Sequence, residues 1–412
     1  MSTHFRNGGK PQYGRFSRAG GGSRGGARPS FGHARNRNQS RGHRGDTIDV
    51  SRFINKATPV EEVVVFTPKH HFKDFAVDQA LKNNILKKGY ETPTPIQDNA
   101  IPHVLSGTDV VGIANTGTGK TAAFLIPLIN AVLHDRSRKV LIMVPTRELA
   151  TQIEEEFWSF ADHMRIGAVS CVGGANIGKQ ISTLRRNPNF VIGTPGRLKD
   201  LMSRRALDLS KFSVVVLDEA DRMLDMGFIH DMRTILGHLP AERQTLFFSA
   251  TLSREIESLI GDFLHTPVRI SVKTGDTSKN VEQDVVRIIR GQNKVDVLQD
   301  LLSQPEFKKV LVFGRTKHGV EKIAKTLVER GFKAESIHGN KSQGQRSRAL
   351  DLFKQHRVQV LVATDVAARG IDVDNVSHVI NYDIPGTYDD YVHRIGRTGR
   401  AGERGKALTF IE

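Results

Sequence analysis

The 412-residue chain has a single cysteine, Cys171, and a single tryptophan, Trp158. One thiol cannot close an intramolecular disulfide, and no Cys/His spacing resembles a zinc site, so a reducing, cytoplasmic compartment is the expectation. Long apolar runs are missing too. MSTHFRNGGK lacks the core of a signal peptide, and AAFLIPLINAVL (122–133) is too short to cross a bilayer, which excludes a membrane protein of the helical type. Acids are absent from residues 1–45, a stretch with ten Arg or Lys and eleven Gly. Such a composition buries too little apolar surface to offset chain entropy, so residues 1–60 are read as a disordered Arg/Gly-rich tail.

What is abundant is positive charge: 60 Lys plus Arg against 44 Asp plus Glu, a formal +16. That balance favours a polyanionic partner, nucleic acid first. Phe5, Tyr13, Phe16 and Phe31 lie among the tail arginines, a mixture that grips phosphates and stacks on bases with little regard to sequence. A tail that merely solubilises is the alternative.

From residue 61 the texture changes. DVVGI, KVLIMV, NFVIGT, SVVVLD and QTLFFSA read as buried strands between amphipathic helices such as RELATQIEEEFWSFADH. After VRISV the polar KTGDTSKN (273–280) intervenes, and the rhythm restarts with DVVRIIR, KVLVFG, KAESIHG, QVLVAT and SHVINYD. The fold class expected is α/β: two domains, 61–272 and 281–412, each a mostly parallel sheet with helices on both faces, joined by a linker at 273–280. Trp158 has helical spacing on what reads as a core face, Cys171 reads as a small buried residue, and His70 and His71 form no metal pattern.

The first strand runs into Ala114-Asn115-Thr116-Gly117-Thr118-Gly119-Lys120-Thr121 and then a helix. A glycine turn at that junction lets backbone N–H groups wrap a phosphate at the positive end of the helix dipole, with Lys120 on the outer phosphates and the Thr121 hydroxyl on Mg²⁺. Ala114 departs from the glycine that opens the general pattern. A second strand, Val214 to Leu217, ends in Asp218, Glu219 and Asp221. In phosphate-loop NTPases an Asp so located holds magnesium, and a neighbouring acid can activate water. The competing reading makes these acids caps of the following helix.

The letters Asp218-Glu219-Ala220-Asp221 with ANTGTGKT resemble a DEAD-box ATP-dependent RNA helicase of superfamily two, of the compact bacterial type. GYETPTPIQ (89–97), PTRELA (145–150), Gly173-Gly174, TPGR (194–197), SAT (249–251), VLVFGRT (310–316), QGQR (343–346), ATDVAARGID (363–372) and HRIGRTGR (393–400) agree with the family in order. The resemblance implies two RecA-like domains and RNA-stimulated ATP hydrolysis coupled to local, sequence-nonspecific remodelling of short RNA duplexes. An ATP-dependent RNA clamp with little productive unwinding is the alternative, and a DNA translocase a third reading.

Residue by residue, the resemblance implies that Gln97 reads the adenine edge and Phe72 stacks on the base, unless Phe72 is a core aromatic and Phe75 takes either role. Ala114 to Thr121, including Asn115, Thr116, Gly117, Thr118 and Gly119, would hold the phosphates, with Asp218 and Thr121 at the magnesium. Glu219 would activate water, Arg397 and Arg400 would act as arginine fingers from the second domain, and Asp372 would contact ribose. Ser249 and Thr251 would bond Asp221 and His393 and so couple ATP to RNA, or would simply cap a helix. RNA phosphates would meet Pro145, Thr146, Arg147, Gly173, Gly174, Thr194, Pro195, Gly196 and Arg197, and across the cleft Arg315, Arg346 and Thr364. The two glycines serve close backbone approach or a tight turn. A monomer using ATP and Mg²⁺ is expected, and the stop at Glu412 after KALTFIE reads as a missing C-terminal extension or a truncated product.

Overall fold

The computed structural model describes residues 53–55, 66–115, 117–272, 281–368, 373, 376–399 and 405–412. Helices α1 (Gln79–Lys87) and α2 (Pro95–Leu105) lead into a run of strand and helix pairs: β1 (Val110–Ala114) and α3 (Lys120–His134), β2 (Val140–Met143) and α4 (Arg147–Phe160), β3 (Ala168–Cys171) and α5 (Ile177–Leu184). They continue with β4 (Phe190–Gly193) and α6 (Pro195–Ser203), β5 (Val214–Leu217) with α7 (Ala220–Asp225) and α8 (Ile229–Gly237), β6 (Gln244–Ser249) with α9 (Arg254–Phe263), and β7 (Val268–Val272). The seven strands form one parallel sheet in the order β3-β4-β2-β5-β6-β1-β7.

Parallel strands need crossovers, and the helices that supply them cover both faces, which is why Val214 to Leu217 are buried without alternation. Two apolar layers result, one around Phe124, Phe157 and Phe190, the other around Leu141, Met232 and Phe247. The sheet's lower edge is pinned by buried Asp109, whose carboxylate accepts from Thr245 N (2.6 Å) and His265 N (2.9 Å). All strand C-termini therefore end on one side, where an open α/β sheet binds its ligands.

The second sheet comprises β8 (Val281–Arg287), β9 (Val310–Phe313), β10 (Ala334–Ile337), β11 (Val360–Ala363), β12 (His378–Asn381) and β13 (Gly405–Ile411). It too is parallel, in the order β10-β11-β9-β12-β13-β8, with α10 (Lys294–Leu302), α11 (Lys317–Glu329), α12 (Gln343–Lys354), α13 (Asp365–Ala368) and α14 (Tyr388–Ile395) around it. No helix among the described residues is long and apolar enough to cross a membrane.

Three departures from the sequence reading stand out. Strand β3 (AVSC) had no signal, because Ser170 interrupts a run only four residues long. Trp158 is 47% exposed, since the adjacent Phe157 takes the core position of α4. Most consequentially, Phe53 to Asn55 fall inside the stretch assigned to a disordered tail, yet Phe53 is 0% exposed in the second domain's core and Asn55 pairs antiparallel with Gln283 of β8. Cys171 is buried as expected, and burial pushes its thiol up to about 12.

Candidate active site and RNA cleft

The loop after β1 is stapled to helix α2. Gln97 donates from Nε2 to Gly119 O (3.0 Å) and accepts at Oε1 from Thr94 N (2.9 Å), while Thr94 Oγ1 donates to Thr118 O (2.7 Å). Gly117 and Gly119 have φ of +84° and +87°, and a Cβ at 119 would overlap the Gln97 amide, so glycine is required there. Thr118 Oγ1 donates to Asn115 O (2.8 Å), and Lys120, the first residue of α3, donates from Nζ to Ala114 O (2.8 Å). Ala114 tolerates a side chain because it is still extended, pairing with Val272 of β7. Thr121 follows on the same first turn, partly buried. Thr116 lies outside the described residues.

Phe72 corrects an expectation. Its ring is 2% exposed, packed 5.8 Å from Phe75 and 5.7 Å from Tyr90, and its backbone N–H is tied to Glu91 O (3.2 Å). In this structure Phe72 is thus packed as the alternative reading has it, as a core aromatic.

Beside the loop, β5 delivers three acids. Asp218 is buried, and that burial, reinforced by Glu219 and Asp221 and opposed by Lys120, pushes its carboxyl up to about 6. Its Oδ1 accepts from Glu219 N (2.9 Å). Glu219 stands at φ +52°, a left-handed conformation that costs a non-glycine residue on the order of 1–2 kcal/mol. It makes no capping hydrogen bond to α7; instead its carboxylate lies 3.4 Å from the buried Arg222 guanidinium. The capping reading thus fails at Glu219.

Asp221 faces the SAT turn, accepting at Oδ2 from Ala250 N (3.0 Å), Thr251 N (3.0 Å) and Thr251 Oγ1 (3.2 Å). Ser249 does not join it. Its hydroxyl donates to Thr251 O (2.8 Å), which shapes the turn, and the cap of α9 is Ser253, so neither reading of Ser249 holds. No hydrogen bond joins His393 to Ser249 or Thr251 among the described residues. His393 instead lies half-buried, its Nδ1 enclosed and unpaired, pushed below the usual histidine range by desolvation and by Arg222 and Arg397, while Asp221 and Glu219 pull the other way. The second domain therefore presents His393, with buried Arg397 beside it, to Asp221 and Glu219 of the first domain. Arg400 and Asp372 lie outside the described residues.

A cleft of roughly 240 Å³ brings together Pro145, Thr146, Arg147, Thr194 and Gly196 from the first domain with Arg346 from the second. Pro195 is buried beneath, opening α6. Within it Arg346 Nη2 lies 2.9 Å from the buried Glu148 carboxylate. Gly173 and Gly174 serve neither as open backbone nor only as a turn: a Cβ at 174 would overlap the Arg147 guanidinium, so these glycines seat that arginine. Arg197 is committed to its own domain, donating to Gln180 Oε1 (2.6 Å) and Ala175 O (3.3 Å). Arg315 is exposed at the end of β9, its Nη2 donating to Ile384 O (3.3 Å), and does not line the cleft. Thr364 precedes α13, whose Val366 and Ala367 do line it.

Sequence reasoning missed Glu148, the acid under Arg346, and Arg394, which clamps α14. Buried Arg394 donates bidentately to Asp365 (2.6 and 2.8 Å) and to Asp383 O (2.6 Å). Both sit inside stretches already singled out, but an acid among RNA-facing cations reads as filler until its partner is seen.

Two parallel sheets, with a glycine loop and buried acids at the crevice of one and His393, beside Arg397, turned toward them from the other, define a two-domain RecA-like protein. The family model described as DEAD/DEAH box helicase matches residues 94–259, and that described as Helicase conserved C-terminal domain matches 293–402. The chain is 47% identical over 346 residues to the ATP-dependent RNA helicase CshA of Listeria monocytogenes, covering 83% of this chain and 66% of that protein. To the DEAD-box ATP-dependent RNA helicase CshA of Bacillus subtilis it is 45% identical, covering 82% of this chain and 69% of the relative. It thus spans about two thirds of the length of these bacterial relatives. Dbp5 of S. cerevisiae bound to RNA and ADP BeF3 superposes with a TM-score of 0.74 at 30% identity, over 83% of this chain and 89% of that one. The chain belongs to the DEAD-box family of RNA helicases.

Proposed function

We propose that the chain is an RNA-stimulated ATP hydrolase that separates short RNA duplexes, without regard to sequence, by closing its two domains on one strand. The observation that carries this reading is the crowding of buried Asp218, Glu219 and Asp221, with Lys120 beside Asp218 and with His393, itself next to Arg397, facing Glu219 and Asp221. Phosphoryl transfer asks for positioning and charge neutralisation, and this grouping supplies both.

In this reading Lys120 leaves the Ala114 carbonyl for the outer phosphates, and the N–H groups opening α3 cradle them. Gln97, with one amide hydrogen and lone-pair capacity unspent, meets the adenine edge, and Asp372 the ribose. The buried carboxyl of Asp218, raised to about 6 with no cation beside it among the described residues but Lys120, suits a metal ion: Asp218 and Thr121 would hold Mg²⁺, which when bound neutralises charge on the phosphates. Glu219, fixed by its left-handed backbone and by Arg222, orients the water and takes its proton. Arg397 and Arg400 offset charge on the transferred group once the domains, 61–272 and 281–412 on either side of linker 273–280, are closed. Asp221 with Thr251 carries the coupling, with His393 facing them.

RNA phosphates would lie along Thr146, Arg147, Thr194, Gly196 and Arg346, contacts that carry no base readout. Likeness to Dbp5 in its RNA- and nucleotide-bound form supports the reading that both ligands favour the closed arrangement, so each strengthens the other's binding. A clamp with slow release is the second reading, favoured by the buried Glu148–Arg346 bridge between the domains.

The deciding measurement is ATPase rate without nucleic acid, with RNA and with DNA, alongside strand release from a labelled duplex. RNA but not DNA should stimulate, and Glu219→Gln should slow hydrolysis at least about a hundredfold. Normal hydrolysis by the mutant would sink the catalytic assignment; stimulation without strand release would select the clamp.

A further inference from the structure

We infer that Phe53 is a positioning residue for hydrolysis: seated against Tyr391 in the second domain, it fixes helix α14 and so sets where His393 and Arg397 meet the crevice. Phe53 precedes the first domain in the chain, yet it is 0% exposed in the second domain's core, in the same apolar cluster as Val281, Val379 and Ile395. Its ring meets Tyr391 edge-on, centroids 4.7 Å apart at 62°, a favoured aromatic geometry. Two residues on, Asn55 N donates to Gln283 O (3.0 Å) and Gln283 N to Asn55 O (2.9 Å), adding a strand partner to the sheet's outermost strand. The Tyr391 hydroxyl closes the circuit by donating to Gln283 Oε1 (2.9 Å).

Helix α14 is eight residues long, too short to hold its own conformation or direction, so its anchors decide its orientation. One anchor is the Arg394–Asp365 pair. Another is the Tyr391 ring, which packs on Phe53 from outside the helix and on Tyr388 within it. His393 lies between the two anchors and Arg397 just past the helix end, so a tilt about Tyr391 is transmitted to both.

The inference rests on the hydrolase reading above, and its test therefore has one readout tied to catalysis and one that is not. In the full chain, Phe53→Ala should lower the RNA-saturated kcat about tenfold, as small misplacements of charged groups do, with the ATP KM little changed. Independently of any activity, amide hydrogen exchange should rise within 388–395 while β9 and β11 keep their protection. Phe53→Leu, which refills the space, should restore both, as should a synthetic peptide of residues 48–58 added to Phe53→Ala; the same peptide carrying alanine at 53 should not. Unchanged exchange in 388–395 overturns the inference, as does exchange that rises evenly across the second domain with a kcat that the peptide fails to restore. If the unmodified chain hydrolyses no ATP, the hydrolase reading fails while the exchange result still judges the anchor.

Discussion

At the scale of single residues, Gly174 carries more of the cleft than its lack of side chain suggests. Its φ of +74° strains any L side chain, and a Cβ there would have to push the Arg147 guanidinium aside. Gly174→Ala should therefore cost about 1–2 kcal/mol of backbone strain and displace Arg147, raising the RNA concentration for half-maximal ATPase roughly tenfold. Titration of the ATPase with RNA checks this, and an unchanged half-saturation would show that Arg147 does not serve RNA. The acids and the lysine of the nucleotide site were legible because their chemistry depends on spacing along two strand ends. Phe72 and Ser249 were not, since whether a ring or hydroxyl faces a ligand or its own fold depends on neighbours such as Tyr90 and the Thr251 carbonyl, which no local pattern announces.

Among the elements, β12 holds a titratable group where none is needed for chemistry. His378 is buried and stacked on Phe307 with ring centroids 3.9 Å apart, and burial, aided by Lys406, lowers its pKa from 6.5 to about 4. Below pH 6.5 the unfolded chain takes up a proton that the folded one accepts only near pH 4, so stability falls as pH drops through that window. The loss amounts to at most about 3 kcal/mol at full development. Denaturant unfolding of the second domain across that range should show this slope, and His378→Phe, which keeps the stack, should flatten it; an equal slope in the mutant would exclude His378 as its source. Strands such as VVVL and VLVF were legible because an apolar run bounded by polar residues has few other uses in an α/β chain. Strand β3 escaped because its four residues lean on β4 for their register and not on their own composition.

For the whole molecule, charge and rhythm told of a basic arm and two repeated units, and the family resemblance joined them to RNA. The arm's ten cations predict that deleting residues 1–45 weakens RNA binding and lowers the slope of log affinity against log salt. If half of them meet phosphates, the slope should drop by about 3 to 4, with the RNA-saturated ATPase rate retained. An unchanged slope would leave the arm a solubiliser. What remained illegible was the return of Phe53 to the far domain, because contact between residues 53 and 391 is a property of the folded path. That return has a further consequence. Strand β8 is the outer rim of the six-stranded sheet, and a bare rim offers its unpaired amides to any extended chain nearby, a route to self-association. By laying Asn55 against Gln283, the molecule occupies part of that rim with its own backbone, in an orientation opposite to every other strand of the sheet.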